Sequence, residues 1–262
     1  YMAARISRWI LEKVDCVIAP TGKVRTILEG YGVDREIRVI PTGIDLGRFT
    51  SVADPEQLKR TLEIPDENRI LLYVGRLARE KNLEEVLTYF AKLHPEKATL
   101  LIVGDGPHRA ALEDTAAQLG INNAVVFAGM IPPEEITDYY HLGDLFVSAS
   151  GSETQGLTYI EALASGLPAL CRKDDCLSGV IENGWNGWQY ENEGDFFEKL
   201  DCFLGSDKLR KAMSFNAAQT ACTKYSSASF AQNVEQVYAD AARRRVEWIG
   251  EAYQEELQCQ KV

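Results

Sequence analysis

The fold class to expect is α/β, a doubly wound parallel sheet, and two observations predict it. Between Arg69 and Tyr190, short apolar runs alternate with segments of helical periodicity, and little chain is spent between them. The runs themselves, such as ILLYV at 70–74 and LFV at 145–147, are continuously apolar. Alternation marks a strand with one wet face, whereas a continuous run marks a strand covered by helices on both sides. Strand–helix repetition of that kind builds a Rossmann-like sheet, whose ligand lies beyond the carboxyl ends of the strands.

Taken in order, residues 4–13 have helical spacing, with Ile6, Trp9 and Ile10 on one face. Residues 14–19 read as a strand stopped by Pro20. Thr21 caps a helix running to Tyr31, and Gly32 ends it. Residues 37–40 form a further short β-rich run. This strand–helix–strand piece is too small for a domain and reads as the end of a larger one. The chain opens in mid-helix at Tyr1-Met2, so a piece of a longer protein is expected. Residues 50–66 are polar, with Pro55 and Pro65, and read as a linker. Strands are then expected at 70–74, 99–103, 124–127, 145–147, 169–171 and 188–190. Helices are expected at 83–93, 109–119, 133–142 and from Leu157, where apolar residues fall at 157, 160, 163 and 164. Residues 196–204, 207–224 and from 229 onward complete a helical C-terminal part.

Composition narrows the function. At 262 residues and 45% hydrophobic, the chain can bury a sizeable core. A net charge of −11 argues against general nucleic-acid binding. The six cysteines form no CxxC pair, and three histidines complete a poor inventory for zinc. No metal site is expected, and reduced thiols in a cytoplasmic protein are. No run approaches the roughly 20 apolar residues of a membrane-spanning helix, and no signal peptide is found.

Four loops after strands carry ligand-type residues. The stretch GSETQGLTYIEALASGLP at 151–168 holds Glu153 and Glu161, separated by seven residues. Gly156 lets a ligand approach the backbone closely, and the free N–H groups where the helix begins offer an anion site. A nucleotide diphosphate on the helix end, with a carboxylate on either side for sugar hydroxyls, suits this stretch; a surface loop with two solvated glutamates is the alternative. The loop from Gly75 to Asn82 leaves room at Gly75 and brings two cations, Arg76 and Lys81, to a helix start where a diphosphate would want them. A charged surface loop is its alternative. Gly104-Asp105-Gly106-Pro107 begins like a dinucleotide fingerprint but lacks the third glycine, since Ala110 and Ala111 follow. No ribose carboxylate ends the next strand, so an NAD-dependent dehydrogenase is a weak reading and a turn at the pocket lip a better one. Gly129-Met130-Ile131-Pro132 can carry a flat base, with the backbone at Met130 reading its edge, or be a plain connection. There is no Walker A sequence and no Gly-x-Ser-x-Gly elbow, which sets aside P-loop NTPases and the corresponding hydrolases.

Together, GRLAREKN at 75–82, VGDGP at 103–107, FAGMI at 127–131 and SETQGLTYIEALASGLP at 152–168 resemble the family 4 retaining glycosyltransferases of GT-B fold. IPTGIDLGRF at 40–49 is similar to the family too, and the Ser-Glu-Thr-Gln-Gly-Leu-Thr-Tyr form looks most like bacterial enzymes that glucosylate diacylglycerol. The resemblance implies transfer of a hexose with retention, UDP-glucose being the favoured donor, and no metal cofactor. It implies that Arg76 and Lys81 hold the diphosphate, beside Gly75 and the amides of Leu157 and Thr158, with Gln155 and Gly156 in the same loop. Glu153 would touch the donor sugar, Glu161 the ribose and Met130 the base, while Gly104 and Gly106 line the cleft. Arg76, Lys81 and Glu153 are the catalytic candidates. It further implies three parts: 1–48 as the end of an N-terminal acceptor domain, 49–225 as the donor-binding domain, and 226–262 as a helix crossing back toward the first. The glycine-rich loop and the acceptor-side histidine or aspartate of the family are not found, so the chain is expected to bind donor without turning over alone. A lipid acceptor would place it peripherally on the inner face of the membrane. Trp9 with Arg5, Arg8 and Lys13, and Trp248 with Arg243 to Arg245, are candidates to meet lipid; core or interdomain packing is the alternative. A GDP-mannose or UDP-N-acetylhexosamine transferase, a sugar-nucleotide epimerase and a non-catalytic nucleotide-binding or assembly module remain open.

Overall fold

The computed structural model describes residues 2–50, 55–93 and 97–259, with side chains to Trp248. It divides into two compact units, Tyr1–Gly43 with Ser227–Val262, and Ile44–Ser226.

The smaller unit contains α1 (Met2–Leu11), β1 (Val17–Ala19), α2 (Gly22–Gly30), β2 (Ile37–Val39) and the long final helix Ser227–Cys259. β1 and β2 pair in parallel, Val17 against Ile37 and Ala19 against Val39. Thr21 caps α2 as expected, its side chain accepting from Val24 N–H. Val17, Ala19, Val33 and Ile37 make a small core. Arg38 pairs with both Glu36 and Asp240, and Arg244 also pairs with Glu36, tying the final helix to β2 within this unit.

In the larger unit the chain continues through α3 (Pro55–Thr61), β3 (Arg69–Val74), α4 (Leu83–Lys92), β4 (Ala98–Val103), α5 (Arg109–Gln118) and β5 (Val125–Gly129). Then follow α6 (Ile136–Leu142), β6 (Leu145–Ser148), α7 (Leu157–Ala164), β7 (Ala169–Arg172), β8 (Gly187–Tyr190), α8 (Glu193–Leu204) and α9 (Asp207–Lys224). The six strands are all parallel, in the order β5-β4-β3-β6-β7-β8. Successive side chains of β3 serve two cores. Ile70, Leu72 and Val74 pack with Tyr140, Ile160 and Leu163, whereas Leu71 and Tyr73 pack with Leu87, Phe90 and Leu200. That double burial is the cause of the continuous apolar runs.

Two expectations change. The polar stretch 50–66 is not a bare linker, because Pro55 opens a helix there whose Leu58 packs on the core and whose Lys59 ammonium reaches Asp66 O at 2.5 Å. The larger unit also begins earlier than residue 49. Ile44 N–H donates to Tyr225 O at 2.9 Å, and Ile44, Leu46 and Phe49 join its core, which moves the boundary to Gly43. At the other end the boundary falls after Ser226.

At the carboxyl ends of β3, β4 and β5 the loops are laced by backbone bonds. Gly75 N–H donates to Val103 O at 3.0 Å, Leu77 N–H to Asp105 O at 2.9 Å and Gly104 N–H to Gly129 O at 2.8 Å. The fit leaves no space for side chains: a Cβ on Gly104, at φ +131°, would lie 2.0 Å from Gly75 O, and one on Gly106 2.3 Å from Leu77 O. Gly104→Ala is expected to lower the unfolding free energy by roughly 3 kcal/mol, left-handed strain added to forced backbone movement. Gly151→Ala, whose methyl group meets nothing within 4 Å, should stay within about 0.5 kcal/mol of the parent, both variants being measured by urea unfolding.

Candidate active site

β3 and β6 are neighbours in the sheet, yet the chain leaves β3 toward β4 on one side and β6 toward β7 on the other. A crevice opens between the loops at such a reversal, and ligands of open α/β sheets bind there. The loop after β3 contributes a short turn, Arg79–Lys81, ending at Asn82 in the left-handed region (φ 51°, ψ 40°). Asparagine tolerates that conformation. Its side chain donates to Glu85 at 3.0 Å, and Glu85 also accepts from Arg172 at 2.5 Å and Tyr190 at 2.9 Å. The turn carrying Lys81 is thereby fixed to the ends of β7 and β8.

The loop after β6 ends at Gly156, whose φ of +70° turns the chain into α7. A Cβ there would meet Tyr159 Cδ2 at 2.8 Å. Glu153 lies in this loop, and Lys81 Nζ donates to its Oε1 at 2.6 Å across the crevice. Both side chains are largely covered, 20% and 15% exposed. Ser152 Oγ reaches Glu80 O at 3.3 Å, a second tie between the loops.

These loops enclose a cavity of about 360 Å³. Six of the residues expected from the sequence line it: Gly75, Arg76, Lys81, Glu153, Leu157 and Thr158. Arg76 is two-thirds exposed and pairs with Glu80 one turn away, a surface pair of the kind worth less than about 1 kcal/mol and easily exchanged for another anion. The first amides of α7 belong to Leu157 and Thr158, where a helix presents N–H groups without partners of their own. The arrangement can therefore receive a polyanion from two sides.

Tyr73, Ser148, Ser152 and Thr154 also line the cavity; Ser152 and Thr154 lie within the 151–168 stretch without being among its candidate residues, and Tyr73 and Ser148 belong to no motif. Tyr73 donates from its hydroxyl to Arg76 O at 3.2 Å, and burial pushes its phenol up, so it stays protonated. Ser148 accepts from the Tyr159 hydroxyl at 2.8 Å. Their position beside Gly75 and Ala149, at strand ends, is the only available signal.

The other expected residues lie outside this cavity's lining. Gly104 and Gly106 serve the packing of the neighbouring loop. Gln155 is buried and Gly156 turns the chain into the helix, both just behind the lining residues. Met130 is 79% exposed at the rim of the sheet. Glu161 sits one turn into α7 and accepts from the Tyr140 hydroxyl at 2.7 Å. Burial raises its carboxyl above the ordinary value, against the opposing pull of the Tyr140 bond and the charge of Arg48. Among the described residues no cluster of three or more His, Cys, Asp or Glu is placed to hold a metal, and no helix is long and apolar enough to cross a membrane.

Comparison with known proteins fits this geometry. The model of the glycosyl transferases group 1 matches residues 54–220, and that of glycosyltransferase family 4 matches residues 1–48. The chain belongs to the group 1 glycosyltransferase family. Among relatives of this group 1 chain, an alpha-monoglucosyldiacylglycerol synthase of Streptococcus pneumoniae is 36% identical over 247 residues, covering 92% of the chain and 55% of the synthase. The synthase of the same name from Acholeplasma laidlawii is 29% identical over 245 residues, with 91% and 61% covered. The group 1 chain thus spans little more than half the length of these relatives. A sucrose-phosphate synthase from Thermosynechococcus elongatus superposes with a TM-score of 0.82 at 24% identity, covering 93% of this chain and 62% of that one, which shows the shared GT-B glycosyltransferase fold.

The raised carboxyl of Glu161 has a consequence for stability. The folded chain holds that proton more tightly than the unfolded one, so stability falls as pH rises from the ordinary carboxylate value through the raised one. Glu161→Gln keeps an acceptor for Tyr140 and removes the charge. Its melting temperature should rise relative to the parent across that window and stay above it at pH 7, measured as the difference between the two proteins at each pH.

Proposed function

We propose that this chain carries the donor site of a retaining hexosyltransferase that takes glucose from UDP-glucose and delivers it to a diacylglycerol-type lipid. The observation that carries the reading is the convergence of Arg76, Lys81, Glu153 and the start of α7 on one cavity at the β3–β6 crevice. In this reading the two cations and the helix amides take the diphosphate and stabilise the departing nucleotide, a charge that develops in the transition state. Glu153 binds hydroxyls of the sugar, Glu161 the ribose, and the backbone at Met130 the base. Glucose and the lipid acceptor come from the relatives named as monoglucosyldiacylglycerol synthases. The diphosphate is neutralised here by protein groups, so donor binding needs no divalent metal.

Titration calorimetry of the chain in EDTA with UDP, GDP and NAD tests this. UDP should bind, GDP and NAD more weakly, and UDP-glucose better than UDP-N-acetylglucosamine. Arg76→Ala and Lys81→Ala should each weaken UDP by about tenfold or more, the size expected of a charge-assisted phosphate contact. Preference for GDP would move the reading to a mannosyltransferase of the same fold, and a metal requirement would contradict the metal-free site.

A lipid acceptor further implies peripheral attachment from the cytoplasmic side. Support comes from α1, where no residue is buried and Met2, Ile6, Trp9 and Ile10 are exposed along one face. Arg5 and Arg8 lie on the same helix, and Lys13 Nζ sits 3.4 Å from the Trp9 ring centroid. Such a face lies in a headgroup layer with its apolar side inward. The chain is expected to float with vesicles containing anionic lipid and to lose most of that binding in Trp9→Ala/Ile10→Ser; a chain left in the soluble fraction would contradict the attachment.

A further inference from the structure

We propose that Glu153 sets the preference for a nucleotide sugar over the free nucleoside diphosphate, by competing with the diphosphate for Lys81. The inference rests on the donor reading above and gives Glu153 a second task within it. The two cations of the cavity are held unequally. Arg76 pairs with Glu80 on its own turn, at the surface, and can exchange that partner at little cost. Lys81 is paired at 2.6 Å with a carboxylate 72 residues away, on the opposite loop, and both side chains are mostly shielded from water.

A diphosphate seated at the start of α7 has to draw Lys81 toward itself. Glu153 is then a partly buried carboxylate without its counterion, close to new negative charge, and both effects are unfavourable. A ligand carrying a hexose beyond its diphosphate offers hydroxyl donors to Glu153 and restores its hydrogen bonding. A free nucleoside diphosphate offers none. The carboxylate therefore penalises the spent nucleotide more than the intact donor, and its return to Lys81 helps to expel the product. The bond from Ser152 to Glu80 holds the two loops at the spacing this exchange needs.

The test compares the parent chain with Glu153→Gln by calorimetry, using UDP, uridine and UDP-glucose, each repeated in a Lys81→Ala background. Glu153→Gln should bind UDP about fivefold more tightly, the scale of one partly shielded ion pair. Uridine should be unchanged and UDP-glucose no tighter, so that the ratio between sugar nucleotide and UDP falls. The gain should shrink with Lys81→Ala to what charge repulsion alone leaves, and the difference in the double-mutant cycle isolates the competition. Glu153→Ala reports the same competition should the glutamine amide find a phosphate contact of its own, and thermal melts of every variant confirm folding. UDP affinity that does not improve in either variant, or uridine that gains equally, would overturn the role of Glu153 and leave the donor site standing. A parent chain that binds neither UDP nor GDP would instead overturn the donor reading, and this role with it.

Discussion

β3 and β6 lie side by side through the register Leu71 with Leu145 and Leu72 with Phe146, and the chain leaves them in opposite directions. The pairing is fully buried: Leu72, Leu145 and Phe146 have no exposed surface. A one-residue slip would exchange the side chains facing the two cores, so the register is held by the whole hydrophobic pattern. Everything at the candidate site inherits its position from this pair. Lys81 and Glu153 meet because their loops begin at adjacent strand ends, and the amides of α7 face the Arg76 loop for the same reason.

The loops themselves are kept in place by different means on the two sides. On the β3 side, glycines at 104 and 106 allow backbone to lie on backbone, and hydrogen bonds between the loops do the rest. Asn82 is held by Glu85, which gathers bonds from β7 and β8. On the β6 side, Tyr159 and Ser148 join α7 to the strand that precedes it. A site whose groups must meet within a few tenths of an ångström is better served by such supports than by loops alone.

Much of this was legible in the sequence because the signals are local. Continuous apolar runs mark the strands, Thr21 and Gly32 bound α2, and the loops after β3 and β6 carry Arg76, Lys81 and Glu153, which the family resemblance groups and the geometry brings to one cavity. What stayed hidden depends on partners far along the chain. The turn expected at Gly104 and Gly106 is legible, but their glycine requirement comes from Gly75 and Leu77, on another loop. Tyr73 falls within an expected buried strand and Ser148 just past another, and only sheet order shows that these strand ends open on the crevice. α3 was missed because its polar composition conceals a single anchoring contact, Leu58, and a lysine whose ammonium caps a carbonyl.

Glu161 raises a different point about how a fold tolerates a site. The helix α7 is otherwise apolar where it meets the core, with Tyr159, Ile160, Ala162 and Leu163 buried. A carboxylate among them is disfavoured by desolvation, and the single bond from Tyr140 offsets only part of that cost, since the carboxyl remains raised. Packing alone would place a neutral side chain there. Local rules are broken mainly at sites kept for function, where a ligand supplies what the fold does not. Ribose hydroxyls would provide the donors that this carboxylate lacks, which makes the strain at Glu161 intelligible as part of the proposed donor site.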